Sequence, residues 1–275
     1  MKKKYFITII TQVLNGASYI AESIESVINQ TYPHVEHVIV DGCSTDGTLD
    51  IIKKYAAASP AKVRFISEKD RGTGEAWNKG IKIARGDILG WIGADDKLMP
   101  DAVETIVSFF ESSPDAFFVY GGLNYIDENG AITRSQETVP FDFKKLLNQS
   151  CMIPTPSSFY KKEIFDVVGG FDILGNDYDF FVRAAKRFPI HTVNKILSCY
   201  RVHSGSQNSG TNLKLRLMWK REDCFVSRKN GGIFLSGYCQ RYYLLACIIW
   251  GQSVINALRR FVDKRFNRKQ KSRQS

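Results

Sequence analysis

Asp95 and Asp96 stand side by side at the end of a short apolar stretch, Asp87-Ile88-Leu89-Gly90-Trp91-Ile92-Gly93-Ala94. Two adjacent carboxylates repel, and burying them costs several kcal/mol unless positive charge compensates. A divalent cation holding a diphosphate is a compensation that oxygen ligands accept readily. Asp41 and Asp70 also close apolar segments, and a further pair, Asp177 and Asp179, opens a helical pattern. An open α/β sheet binds ligands in the crevice at the carboxyl ends of its strands. Three successive strand-like segments ending in acids therefore point to one shared site.

Each acid also has a plainer reading. In Val40-Asp41-Gly42-Cys43-Ser44-Thr45-Asp46-Gly47-Thr48 the carboxylate and hydroxyls suit a base or ribose, or else satisfy the loose amides of a strand-to-helix turn. Asp70-Arg71-Gly72 can be an ordinary loop. Arg71 or Lys79 could help to hold phosphate, because neither G-x-G-x-x-G nor G-x-x-x-x-G-K-[ST] occurs in the chain. Dinucleotide dehydrogenases and P-loop NTPases are thereby disfavoured. Asp177 or Asp179 could take the proton of an attacking hydroxyl, or simply cap a helix for about 1 kcal/mol. In Arg201-Val202-His203 the imidazole could complete a metal shell and the guanidinium could hold departing phosphate. A lone His in a loop can equally be solvated.

The elements that must position these residues alternate in the first half of the chain, the pattern of a mostly parallel sheet covered by helices. Strand-like segments cover Tyr5 to Thr11, His34 to Val40, Val63 to Ser67, the stretch before Asp95, and Ala116 to Tyr120. Helical spacing covers Ser18 to Gln30, Asp46 to Tyr55 with Asp46 as N-cap, Glu75 to Ala84, and Asp101 to Phe110 behind Pro100. Glu128-Asn129-Gly130 predicts the turn of a hairpin from Asn124 to Arg134. Short helices follow at Phe141 to Leu147 and Lys162 to Val168, with a strand at Ser157 to Tyr160. Asp177 to Arg187 is helical, Ile190 to Val202 extended, and helix dominates from Asn212. The expected division is a catalytic domain over 1–211, split near 122/123 into a nucleotide half and an acceptor half, and a helical extension over 212–275.

Six cysteines lack any C-x-x-C or zinc-like spacing and read as reduced packing residues of a cytosolic protein. Met1-Lys2-Lys3-Lys4 runs straight into a strand pattern, without the longer apolar region of a signal peptide. The net charge is +10. From Arg259 onward eight Lys or Arg stand against Asp263 alone, a net of +7, leaving about +3 for everything before. No nucleic-acid partner is expected of so balanced a body. Tyr242 to Trp250, the uninterrupted apolar run before the tail, is far shorter than the ~20 residues that span a bilayer. It reads either as a helix packed on the catalytic domain or as an interfacial helix whose basic tail meets anionic lipid. The second reading places the protein on the inner face of the cell membrane.

Taken together, these blocks resemble the family 2 glycosyltransferases of the GT-A fold over roughly Tyr5 to Ser209. The blocks are Val40 to Thr48, Glu68-Lys69-Asp70-Arg71-Gly72, Ala76-Trp77-Asn78-Lys79-Gly80-Ile81, Gly86-Asp87-Ile88 and Gly93-Ala94-Asp95-Asp96. They continue with Gly169-Gly170-Phe171-Asp172, Asp177-Tyr178-Asp179 and Arg201-Val202-His203. The resemblance implies a Rossmann-like, mostly parallel sheet and inverting transfer from a nucleotide-diphosphate sugar, a UDP-sugar foremost. The acceptor would be a hydroxyl on a glycan or lipid-linked molecule of bacterial surface polysaccharide synthesis. It places Asp41 on the nucleobase, Asp70 by the base or ribose, and Thr11 at the nucleotide end of the first strand. Asp95 falls near ribose or sugar, Asp96 on Mg²⁺ or Mn²⁺, and His203 and Arg201 near diphosphate and metal. Asp177 matches the general base. Ala94-Asp95-Asp96 departs from the spaced Asp-x-Asp of many relatives, which leaves Asp96 as the direct carboxylate ligand. Asn176 stands where many relatives carry an acid, and removing that like charge lowers the pKa of the base. A sugar nucleotidyltransferase would more naturally carry a Gly-rich basic loop after the first strand, and a nucleotide-sugar or lipid-binding protein would not need the four acids together.

Overall fold

A computed structural model of the chain describes residues 5–149, 151–173, 175–205, 213–233 and 237–250. These fall into two compact units, one drawn from 5–146 and 151–205, the other from 147–149, 213–233 and 237–250. In the first unit β1 (Ile7–Val13), α1 (Ile20–Ile28), β2 (Val35–Asp41), α2 (Thr48–Ala58), β3 (Val63–Ser67), α3 (Thr73–Ile83) and β4 (Ile88–Trp91) alternate. Then come β5 (Lys97–Leu98), α4 (Ala102–Ser112), β6 (Phe118–Ile126), β7 (Ile132–Gln136) and α5 (Phe143–Asn148), of which residues 147 and 148 belong to the second unit. A 3-10 turn at Thr155–Ser157 leads to β8 (Ser158–Lys161), α6 (Ile164–Val168), α7 (Asp177–Ala185) and β9 (Ile190–Arg201).

The strands form one mixed sheet in the order β3-β2-β1-β4-β8-β6-β9-β5, with β7 beside β6. β1 to β4 are parallel, and their near-continuous apolar runs reflect burial on both faces. All seven residues of β2 are buried. β8 runs against both β4 and β6, and β9 runs along β6. The ends of β4, β6 and β9 and the start of β8 therefore share one edge of the sheet. Helical spacing places Ile20, Ile24 and Val27 of α1, and Val103, Ile106, Val107 and Phe110 of α4, inside the core. Each such burial stabilises by about 1.5–3 kcal/mol.

Some local expectations change. Asp46 does not occupy the N-cap of α2; Gly47 does, with φ +96°. The Asp46 carboxylate instead accepts from Thr48 N at 3.1 Å and Ala17 N at 3.0 Å, stapling the loop after β1 to the loop after β2. β6 runs on to Ile126, and β5 is a two-residue strand too short for any periodic signal. The predicted turn does form, with Asp127 Oδ1 accepting the amides of Asn129 and Ala131, both at 2.9 Å.

The second unit contains α8 (Leu213–Lys229) and α9 (Gly237–Trp250). The cysteines there correct a sequence expectation: Cys224 and Cys239 are disulfide-bonded across the two helices, with Cα atoms 4.7 Å apart. The pairing comes from the reversal of the chain between α8 and α9, which cysteine spacing alone does not encode. Ser227 Oγ donates to the Leu147 carbonyl at 2.6 Å and Ile233 N to Asn148 Oδ1 at 2.7 Å. Among the described residues no helix is long and apolar enough to cross a membrane. The basic tail lies outside the described residues, as do Lys2 to Lys4.

One buried group has a measurable consequence. His37, in the middle of β2, has no exposed surface. Its Nε2 is 2.9 Å from Thr11 Oγ1, whose proton goes to the Ile92 carbonyl at 2.8 Å, so the imidazole is the donor to Thr11. Burial lowers the His37 pKa from 6.5 to about 3. As pH falls below 6.5 the unfolded chain takes up a proton that the folded chain refuses, so stability declines towards pH 3 by up to about 1.4 kcal/mol per unit. His37→Gln removes that component. The fall in melting temperature between pH 6.5 and 4.5 should be shallower in the variant, and equal slopes would show that His37 titrates normally.

Candidate active site

Asp41 and Asp70 converge at Gly42. Asp41 is completely buried at the end of β2, and its carboxylate accepts Ser67 Oγ at 2.6 Å and Ser44 N at 3.2 Å. It thus shapes the turn through Cys43, which has φ +66°. Asp70 is half-buried, accepts Gly72 N at 3.0 Å, and brings Oδ2 to 3.0 Å from where a Cβ on Gly42 would stand. Asn15 and Ser44 link the two neighbouring loops, Asn15 N donating to Ser44 Oγ at 2.8 Å and Thr45 N to Asn15 Oδ1 at 2.9 Å. Thr11 is buried with its hydroxyl spent on Ile92, so it braces β1 against β4 rather than facing the crevice.

The expected phosphate-holding bases are placed differently from the sequence reading. Arg71 is 73% exposed and folds back on Glu75, its Nε 2.8 Å from Oε2. Lys79 donates to the Lys69 carbonyl at 2.8 Å and lies 3.5 Å from Glu68. Arg201 departs furthest: its side chain is wholly buried. Nε donates to the Asp95 carbonyl at 2.8 Å, one terminal nitrogen to the Glu128 and Asp127 carbonyls at 3.0 and 3.3 Å, and the other to Glu22 at 2.8 Å. The guanidinium also lies 4.5 Å from the centre of the Tyr19 ring. Arg201 is a bracket between loops, because five rigid donors suit several fixed carbonyls at once.

What the bracket holds is the acid pair. Arg201 N donates to Asp96 Oδ1 at 2.8 Å. Asp96 is buried, and desolvation, reinforced by the charge of Asp95, pushes its pKa up against the pull of the Arg201 and Gly93 amides. Asp95 is one-third exposed, and its Oδ2 meets His203 Nε2 at 3.1 Å. His203 is thereby the partner of Asp95, with its ring 4.9 Å from that of Tyr19. Among the described residues no cluster of three or more His, Cys, Asp or Glu forms a complete metal shell. The pair nevertheless fits part of one. A Cβ on Gly93 would stand 2.6 Å from Asp96 Oδ2 and 2.8 Å from Asp95 Oδ1, so the bare glycine leaves open the space where the carboxylates meet. Carboxylate oxygens of this kind suit Mg²⁺ or Mn²⁺.

The second acid pair separates cleanly. Asp179 Oδ2 accepts Arg183 Nε at 2.7 Å, one turn along α7. Asp177, at the first position of the helix, is held by the Thr155 hydroxyl on its Oδ2. Thr155 opens the 3-10 turn that leads directly into β8, at the sheet edge where β4 ends. The N-cap of α7 is Asn176, whose Oδ1 accepts Asp179 N at 3.2 Å. Behind Asp177, Phe180 packs on Phe171 with ring centres 4.8 Å apart, and Phe171 packs on Trp77 and Trp91 at 4.5 and 5.5 Å. Aromatic packing thus seats α7 against α3 and β4.

The profile described as Glycosyl transferase family 2 matches residues 8–169. The chain belongs to the family 2 glycosyltransferases. It is 32% identical over 213 residues to an Escherichia coli chondroitin synthase, covering 76% of this chain and 30% of that protein. It is 29% identical over 214 residues to an uncharacterized glycosyltransferase of Nostoc sp., covering 74% of this chain and 66% of that one. The chain therefore spans less than two thirds of the length of either relative. Among solved structures, S. aureus TarS 1–349 in complex with UDP-GlcNAc superposes with a TM-score of 0.63 at 18% identity, covering 89% of this chain and 73% of that chain. A mannosyltransferase from Pyrobaculum calidifontis in complex with GDP-Man and Mn²⁺ superposes with a TM-score of 0.65, also at 18% identity, covering 95% and 80%. These likenesses show the fold: a GT-A, Rossmann-like mixed sheet flanked by helices.

The loop that delivers α7 depends on residues that no acid count would find. Asn78 on α3 donates Nδ2 to the Phe171 carbonyl at 2.8 Å and accepts the Phe171 amide on Oδ1 at 2.9 Å. Gly74 lies so close that a Cβ there would stand 1.5 Å from the Asp172 carbonyl oxygen. The only sequence signal was a polar residue beside Trp77 within the Ala76–Ile81 block. Asn78→Ala should lower stability by about 1–3 kcal/mol for two hydrogen bonds to the backbone. Urea unfolding measures the loss, and amide exchange at Phe171 should accelerate beyond the global change; exchange unaltered at Phe171 would remove the clasp.

Proposed function

We propose that the protein is an inverting glycosyltransferase. It would move a sugar from a nucleotide-diphosphate sugar, a UDP-sugar foremost, to a hydroxyl of a glycan or lipid-linked acceptor in bacterial surface polysaccharide synthesis. The observation that carries this reading is the sharing of one sheet edge by Asp41 and Asp70, by Asp95 and Asp96, and by Asp177 on Thr155. Family membership and the polysaccharide synthases among the relatives agree with it. In this reading residues 1–122 hold the donor, 123–211 receive the acceptor, and 212–275 form a helical extension.

Asp70 and the turn that Asp41 shapes face the nucleoside. Asp96, with Asp95 beside it, would hold Mg²⁺ or Mn²⁺, and the bound ion would stabilise charge on the departing diphosphate. Asp177 accepts the proton of the acceptor hydroxyl as its oxygen attacks the anomeric carbon from the face opposite the leaving group. One displacement with an oxocarbenium-like transition state inverts the centre. The Arg183 pairing of Asp179 favours Asp177 as the base, and the Thr155 hydroxyl orients it. The protein would work in the cytoplasm, with the basic tail available to an anionic membrane surface.

Asp177→Asn should lower transfer from labelled donor by about 10²–10⁴-fold while leaving donor binding intact. Near-normal turnover in that variant would remove Asp177 from the chemistry. A thermal-shift panel of UDP-, GDP- and dTDP-sugars, with and without Mn²⁺, should show stabilisation by one base and its enhancement by the ion. Asp96→Ala should abolish the enhancement; a panel with no stabilising nucleotide would reject the donor reading altogether.

A further inference from the structure

Arg134, Tyr125 and Tyr200 stand abreast on three adjacent strands. Tyr125 on β6 is in register with Arg134 on β7 and with Tyr200 on β9. Registered neighbours share a face of the sheet, on strands about 4.8 Å apart. The side chains touch in that order: the Arg134 guanidinium lies 4.0 Å from the centre of the Tyr125 ring, and the two tyrosine rings meet edge to face at 5.8 Å. The Tyr125 hydroxyl donates to Gln136 Oε1 at 3.0 Å, which fixes the ring. Both tyrosines are half-buried and Arg134 is exposed. Among the described residues Arg134 meets no carboxylate within ion-pair distance.

The row lies on the face that carries the candidate base. Ser198 precedes Tyr200 by two residues on β9, hence points the same way, about 6.6 Å along the strand. Its hydroxyl meets Ser157 Oγ at 2.6 Å. Ser157 closes the 3-10 turn that begins at Thr155, and Thr155 holds Asp177. The row is thus one strand step beyond the wall that seats the base, toward the same edge of the sheet.

Rings with half-exposed surface offer an apolar platform to the C–H face of a pyranose, and a guanidinium stacked on one of them keeps its N–H donors in plane and free for an anion. We propose that Arg134, Tyr125 and Tyr200 form a subsite for an acidic sugar unit of the acceptor glycan. The sugar ring packs on the tyrosines, and its carboxylate or phosphate pairs with Arg134. The acceptor role rests on the glycosyltransferase reading above, whereas saccharide binding itself does not require it.

The test titrates the full chain with three oligosaccharides of equal length: one bearing uronic-acid carboxylates, one bearing phosphates and one neutral. At least one acidic saccharide should bind about tenfold more tightly than the neutral one, in a salt-sensitive manner. Arg134→Ala should erase the preference, and Tyr125→Leu should weaken acidic and neutral saccharides alike. UDP binding should be unchanged in both variants. Which acidic saccharide binds decides between carboxylate and phosphate. Equal affinity for acidic and neutral saccharides, or no binding by any, overturns the proposal. So does a preference that survives Arg134→Ala, since the basic tail would then be its source. Arg134 is exposed, so that variant decides the matter even where Tyr125→Leu disturbs the hairpin. Because the readout uses neither donor nor turnover, loss of the subsite and loss of sugar transfer are told apart.

Discussion

Burying a guanidinium is costly unless its donors all find acceptors, and a bracket of this kind organises the carboxyl edge of the sheet. Arg201 ends β9 with no exposed side-chain surface, yet it reaches the β4–β5 turn at Asp95, the β6–β7 turn at Asp127 and Glu128, and α1 at Glu22. Glu22 is held ionised against its partial burial by Lys97 and by Arg201 itself. Two turns and a helix that are remote from one another in sequence are fixed to one cation. Lysine, with a single point charge and three donors, could not span the same set. The backbone amide of the same residue then takes Asp96, so the position of the acid pair follows from the strand end.

Asp177 is positioned by an independent device. Asn78 clasps the backbone of Phe171, and Phe171 sits among Trp77, Trp91 and Phe180. Trp91 belongs to both systems. Its ring faces this aromatic group, and its strand leads within a few residues to Asp95 and Asp96. The relation between Asp177 and the acid pair is therefore transmitted through β4, an inner strand paired on both sides, rather than through mobile loops. Buried inner strands open last of all the elements of a fold, so a site referred to one keeps its spacing.

Much of this was legible in the chain. Alternating apolar runs and helical spacing identified β1 to β4 and the helices between them, because parallel strands buried on both faces leave a strong signature. The acids at strand ends could be read for the same reason: topology alone brings those ends together. What stayed hidden depended on side chains meeting across long sequence gaps. Arg201 looked like a phosphate ligand because a guanidinium near His203 can hold departing phosphate; its register with Ile126 at the end of β9 and the carbonyls it meets there become visible only in the fold. The Cys224–Cys239 bond needs the reversal between α8 and α9. Glu36 and His37 sit mid-strand as buried polar residues, made tolerable by Thr8, Arg64 and Thr11 on other elements. No local pattern announces such partners.

The acid pair itself shows how the site keeps a charge unbalanced. Had the Arg201 guanidinium turned onto Asp96, the pair would carry its own counter-charge and have little use for a cation. Instead the guanidinium donates to carbonyls and Glu22, and its charge offsets the desolvation of Asp96 only in part, after the Arg201 and Gly93 amides. Asp95 has His203 at its outer oxygen, a partner whose charge is conditional on protonation. The two carboxylates thus face each other across bare Gly93 with repulsion that the protein constrains but does not cancel. A divalent ion would complement such a pair, and an ion held by so few protein oxygens would complete its shell from outside. Under the function proposed above, diphosphate oxygens of the donor would serve that purpose, and metal affinity would then depend on the presence of the donor.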